Sequence, residues 1–97
     1  MYKITEDFSE DGEGLFTLAM DDKTFGQMKV ELRDDKLVVH DAIVPIKGYL
    51  PIIGSLLLED IVEYAVMHGL KIITLSNFAQ KEFSKNPELY GHVWESA

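Results

Sequence analysis

The chain has 97 residues, 46% of them hydrophobic and 10% aromatic, with a formal net charge of −8 and no cysteine. That length implies one domain with one core over residues 1–97, and the composition excludes a disordered chain, a disulfide framework, a thiol nucleophile and a zinc–thiolate site. The acidic balance disfavours nucleic acid and anionic membrane surfaces, no apolar run is long enough to span a bilayer, and no metal site is expected. The N-terminus, MYKITEDFSEDGEG, is acidic where a signal peptide is basic and then apolar. A cytoplasmic protein is therefore expected.

The first strand is predicted over residues 2–5. Residues 6–14 (EDFSEDGEG) are acidic and glycine-punctuated, and predict a loop or a hairpin turn. Residues 15–20 (LFTLAM) predict a second strand. Residues 26–33 (GQMKVELR) alternate apolar Met28, Val30 and Leu32 with polar neighbours, the period-two pattern of a strand with one wet face. A tight connection at residues 34–36 leads into a strand over residues 37–44, completing a hairpin. Leu37, Val38 and Val39 are consecutive apolar residues, which predicts burial on both faces.

Residues 45–51 (PIKGYLP) carry two prolines and a glycine and predict irregular backbone. A helix follows over residues 52–68. Ile53, Leu57, Ile61, Tyr64 and Ala65 share its sheet-facing side, and Gly69 stands at its C-terminal cap. Residues 70–75 (LKIITL) predict a strand parallel to the one before the helix, since a helical crossover joins them. Asn77 followed by Gln80 predicts an N-cap for a helix over residues 78–85. The tail over residues 87–94 (PELYGHVW) predicts a short helical turn, with Leu89, Tyr90, Val93 and Trp94 packed on the sheet.

This order of antiparallel strands, β-loop-α-β unit and short C-terminal helix resembles the GNAT N-acetyltransferase superfamily, in its minimal branch of about 100 residues. The resemblance covers residues 15–94. Its strongest segments are SLLLEDIVEYAVMH, GLKIITL, the SNFA that follows and the tail NPELYGHV. It implies an α+β, GNAT-like (acyl-CoA N-acyltransferase) fold with a mixed, mainly antiparallel sheet. It also implies that acetyl-coenzyme A is bound and its acetyl group passed to an amine by direct attack. The cofactor contacts implied are Ile43 and Val44 on the strand before the loop, Ile53, Gly54 and Ser55 at the helix start, and Asn77 and Phe78 after the last strand.

The chain departs from the superfamily pattern in two places. The glycine-rich phosphate loop is degenerate: Leu50 and Ile52 occupy glycine positions, Tyr49 the cationic one, and Lys47 is a substitute cation two residues early. On the catalytic side, Asp41 stands where the branch commonly has a histidine, with His40 one residue before it, and Ser76 stands where it has a cysteine. Strict alternation along the strand puts His40 and Asp41 on opposite faces. Asp41 is either the proton acceptor or a strand-end carboxylate bonded to a loop. Ser76 and Asn77 either line the cleft or only cap the last helix. Tyr90 is either a phenol near the thioester or a packed ring. The acidic run over residues 6–13 either selects a cationic substrate or is a solvated loop. A reading of a different class also stands: a non-catalytic GNAT-fold module whose apolar segment YLPII contacts a protein partner or a second copy of the chain.

Overall fold

The computed structural model describes residues 1–46 and 48–95; Lys47, the substitute cation of the phosphate loop, lies outside them. The elements are β1 (Tyr2–Phe8), β2 (Glu13–Met20), β3 (Lys23–Arg33), β4 (Lys36–Ile43), α1 (Leu50–Met67), β5 (Lys71–Thr74), α2 (Asn77–Lys85) and α3 (Pro87–Tyr90). The strands form one sheet in the order β1-β2-β3-β4-β5. The first three pairings are antiparallel and β4–β5 is parallel, as a helical crossover requires.

Two hairpin turns are built on aspartates. Asp21 and Asp22 both take positive φ between Met20 and Lys23, and Asp34 does so between Arg33 and Lys36. Aspartate tolerates this conformation better than most residues. The first hairpin makes its turn within residues 6–14, as one of the two expectations had it, but over fewer residues. β1 runs on to Phe8, β2 starts at Glu13, and only four residues turn the corner. The reason is Phe8, the one aromatic residue in the acidic run. Its ring stacks on Tyr64 of α1 at 5.2 Å and meets Phe16 edge-on at 6.2 Å. It also lies over Gly14, where a β-carbon would come within 2.5 Å of it.

Register sorts the sheet into a covered and an uncovered face. Phe16 pairs with Met28, Val30 with Val39, and Leu37 with Ile72; all six are fully buried. They join Leu57, Leu58, Ile61 and Ala65 of α1 and Ala79 and Phe83 of α2 in one core. Burying each of the large aliphatic side chains stabilises the fold by about 1.5–3 kcal/mol. Both helices thus lie on one face, and the molecule is 20 Å thick along its shortest axis. The opposite face carries Thr17, Gln27, Lys29, Glu31, Val38 and His40, linked by Gln27–Thr17 and His40–Glu31 hydrogen bonds. Val38 is buried by its neighbours on this face, so all three consecutive apolar residues of β4 are inside, as expected.

Three helix details differ from expectation. α1 starts at Leu50, two residues early, with Pro51 in its first turn. Proline is tolerated there because the first-turn N–H groups have no intrahelical acceptor. α2 is capped by Ser76 rather than Asn77: the Ser76 hydroxyl accepts the Ala79 N–H at 3.2 Å. In the tail, Tyr90, Val93 and Trp94 pack inward, but Leu89 is exposed. Trp94 bridges Ile72, so residues 93–95 line the outer edge of β5. Gly69 closes α1 at φ +65°, the left-handed conformation expected after a helix.

Candidate functional site

β4 and β5 part company halfway along β4. Their last aligned pair is Val39 with Thr74, and the Leu75 N–H donates to the Val39 carbonyl at 2.8 Å. β4 continues to Ile43, held by β3 through Met28–Ala42 and Gln27–Ile43. Among the described residues, nothing pairs with the other edge of residues 41–43. Backbone polar groups on that edge are therefore open to an added strand or an extended amide-bearing ligand. The facing end of β5 is closed, since Gln80 donates its side-chain amide to the Thr74 carbonyl at 3.2 Å.

The parting coincides with a β-bulge. Val39 pairs with Val30 and Ala42 with Met28, so two residues of β4, His40 and Asp41, stand opposite one, Lys29. Val39 and Ala42 both face the core. The two residues between them therefore share the uncovered face, which overturns the expectation that they point to opposite sides. There the His40 ring is hydrogen-bonded through Nε2 to Glu31 Oε1 at 2.8 Å. Glu31 Oε2 accepts from Arg33 Nη2 at 2.6 Å and from Nε at 3.0 Å. The Arg33 guanidinium, and after it the His40 ring, hold the Glu31 carboxyl below its ordinary value. Asp41 is exposed beside them. Sequence reasoning passed over Glu31 because it reads as an ordinary polar position of an alternating strand; only the pairing of Glu31 with Val38 brings it beside His40.

The start of α1 borders the same opening. The Tyr49 N–H donates to the Ile46 carbonyl and the Ile53 N–H to the Tyr49 carbonyl. Pro51 has no N–H, which leaves Leu50 and Ile52 as the first-turn amides outside the helical ladder among the described residues. Gly54 and Ser55 lie one turn further in, where the i→i−4 ladder occupies their N–H groups. Gly54 is buried, and a β-carbon on it would stand 2.7 Å from the Phe78 ring. Ile53 is buried too, with its methyl against Gly26, where a β-carbon would meet it at 2.5 Å. Both contacts explain small residues by close packing: α1 sits low on β3 at Gly26, and α2 sits close to α1 at Gly54.

The remaining candidates separate clearly. The Ile43 side chain is exposed, while Val44 turns back onto the core beside Gly26. Ser76 is fully buried and spent as a cap acceptor. Asn77 is exposed and begins a groove along α2 lined also by Gln80, Lys81, Ser84 and Lys85. Phe78 is half-buried against Gly54. Tyr90 stacks on Phe83 at 4.7 Å, and its phenol is shifted upward by burial and then by Glu59 and Glu82. Ile43, Ile46, Tyr49, Leu50, Ile52 and Leu75 leave apolar surface exposed around the opening. No group of three or more metal-ligating side chains occurs among the described residues. No helix among them is long and apolar enough to cross a membrane.

No protein-family model matches the chain, and no curated protein matches it. A solved structure does. It is the solution structure of a GCN5-like candidate N-acetyltransferase from Staphylococcus aureus, 21% identical, covering 96% of this chain and 89% of that one with a TM-score of 0.69. At that identity the likeness establishes the fold, which is GNAT-like: α+β, with a mixed, mainly antiparallel sheet.

Proposed function

We propose that the protein binds acetyl-coenzyme A along the open edge of β4 and transfers the acetyl group to an amine by direct attack. The observation that carries this reading is the parting of β4 from β5 after Val39, beside the N-terminus of α1. An extended, amide-bearing pantetheine arm fits an unpaired strand edge, and Ile43 and Val44 supply that edge. A pyrophosphate fits the first-turn amides of α1 and the positive end of its dipole. Those amides belong to Leu50 and Ile52, a turn before Gly54 and Ser55. Ile53, Gly54 and Phe78 shape the floor by packing. Asn77, Lys81 and Lys85 along α2 offer polar and cationic groups to a second phosphate.

When bound, the cofactor supplies the acetyl group as a thioester. The chain then has to place an amine and take its proton. In this reading the acceptors are His40 and Asp41 of the bulge, on the face that no helix covers. One ammonium proton goes to the bulge, the amine nitrogen forms the new C–N bond, the C–S bond breaks, and the leaving sulfur takes the second proton. No serine nucleophile is needed, in keeping with Ser76 being buried as a cap.

The experiment is release of free thiol from acetyl-CoA in the presence of a panel of primary amines and amine-bearing peptides. The reading predicts amine-dependent release that His40→Ala lowers by about 10²–10⁴-fold, the range for a general base, with Asp41→Ala as the comparison. No release above the amine-free rate, for any acceptor, counts against transfer. The exposed apolar ring around the opening favours a second reading, an interaction module that self-associates there. Sedimentation of wild type against Ile52→Lys tests it.

A further inference from the structure

We infer that Glu31 is the positioning residue for His40: it fixes the imidazole with its proton on Nε2, so that Nδ1 is the acceptor presented at the bulge. This rests on the acetyl-transfer reading for its chemical consequence, but not for its geometry.

A carboxylate can only accept, so the 2.8 Å contact from His40 Nε2 to Glu31 Oε1 places a proton on Nε2 of the neutral ring. Nδ1 makes no protein hydrogen bond among the described residues. An imidazole in this form has one free lone pair, on Nδ1, and its orientation is set by the partner at the other nitrogen. Glu31 is itself held: Arg33 occupies Oε2 through two nitrogens, leaving Oε1 for the ring. The order Arg33–Glu31–His40 thus runs across two strands and ends at the first residue of β4 beyond the reach of β5.

The other charged groups on this face do not compete for the ring. Lys29 opposes the bulge but pairs with Glu13 at 3.6 Å. Lys36 is engaged by Asp35 and Glu95. Asp41 is the neighbouring carboxylate, exposed and with no hydrogen bond to His40. β5 contributes Ile73, which is apolar, to this face. Among the described residues Glu31 is therefore the single carboxylate bonded to the ring, and the register that pairs it with Val38 sets it diagonally beside His40 on the same face.

The test measures the imidazole nitrogen and carbon shifts of His40 in mildly alkaline solution, in wild type and in Glu31→Ala. The inference predicts an Nε2–H ring in wild type and a mixed tautomer population in the variant. In acetyl transfer, Glu31→Ala lowers kcat about tenfold or more while KM for acetyl-CoA is unchanged, and Glu31→Asp, which keeps the carboxylate, recovers part of the loss. An Nδ1–H ring in wild type, or the same tautomer and the same kcat in Glu31→Ala, overturns it. The wild-type spectrum needs neither a variant nor a ligand. It therefore decides the geometry even where Glu31→Ala does not fold, and absence of transfer by the wild type sinks the acetyltransferase reading alone.

Discussion

The Phe78 ring lies close enough to Gly54 that a single added carbon on that glycine would stand 2.7 Å from its Cε2 and Cζ atoms and 3.3 Å from Leu50. The contact ties the second turn of α1 to the first turn of α2. Gly54→Ala is expected to destabilise the fold by about 1–3 kcal/mol through overpacking. Adding Phe78→Leu, which thins the ring side, is expected to restore most of it. Denaturant unfolding of both variants checks this. If the double variant also binds acetyl-CoA as wild type does, the glycine serves packing rather than phosphate approach.

Ser76 gives a second separation of roles. As the cap of α2 its hydroxyl accepts the Ala79 N–H inside the core. Ser76→Ala is expected to lower stability by about 1 kcal/mol, the ordinary value of an N-cap, and to leave acetyl transfer per folded molecule unchanged. Lost transfer at unchanged stability would instead put Ser76 in the chemistry.

The seam between β1 and α1 concentrates like charge. Burial, followed by Glu6 and Glu63, raises the Asp60 carboxyl above its ordinary value of 3.8. A raised carboxyl binds its proton more tightly in the folded state. The fold therefore loses stability as pH rises from the unfolded value through the folded one, and the loss persists at neutral pH. Asp60→Asn is expected to raise Tm by about 2 °C at pH 7 and to leave it unchanged near pH 3. Calorimetric scans at both values decide it, and an equal rise at both would assign the effect to something other than charge.

Much of this was legible from residue order, for physical reasons. The alternation in β3 and the spacing of Ile53, Leu57, Ile61 and Ala65 each repeat over several turns or pleats, so one misleading residue cannot hide them. The parallel β4–β5 pair follows from the helix between them. Where the reading failed, a single residue decided the outcome. Phe8 extends β1 through a run whose other members are polar or glycine. Pro51, a breaker by propensity, sits where a helix tolerates it. The bulge has no period of its own, because Ala42 and Val44 restart the apolar alternation only after it. For that reason the shared face of His40 and Asp41 was out of reach, while the bond from His40 to Glu31 depends on the register that pairs Glu31 with Val38.

The groove along α2 carries a testable charge. Lys81 and Lys85 have no ion pair among the described residues, in a chain with net charge −8. Replacing both by Glu is expected to weaken acetyl-CoA binding about tenfold at low salt and to flatten its dependence on salt. Unchanged affinity would place the cofactor's phosphates away from α2.

Calorimetric titration of the protein with acetyl-CoA, at low and at moderate salt, tests the central claim most directly. The open edge of β4 beside the N-terminus of α1 predicts saturable binding with a Kd of about 1–100 μM that weakens as salt rises. No heat and no rise in Tm at millimolar acetyl-CoA would contradict it. The parted strands would then be a GNAT-like scaffold without its cofactor, and the apolar ring at Tyr49, Leu50 and Ile52 the surface to follow.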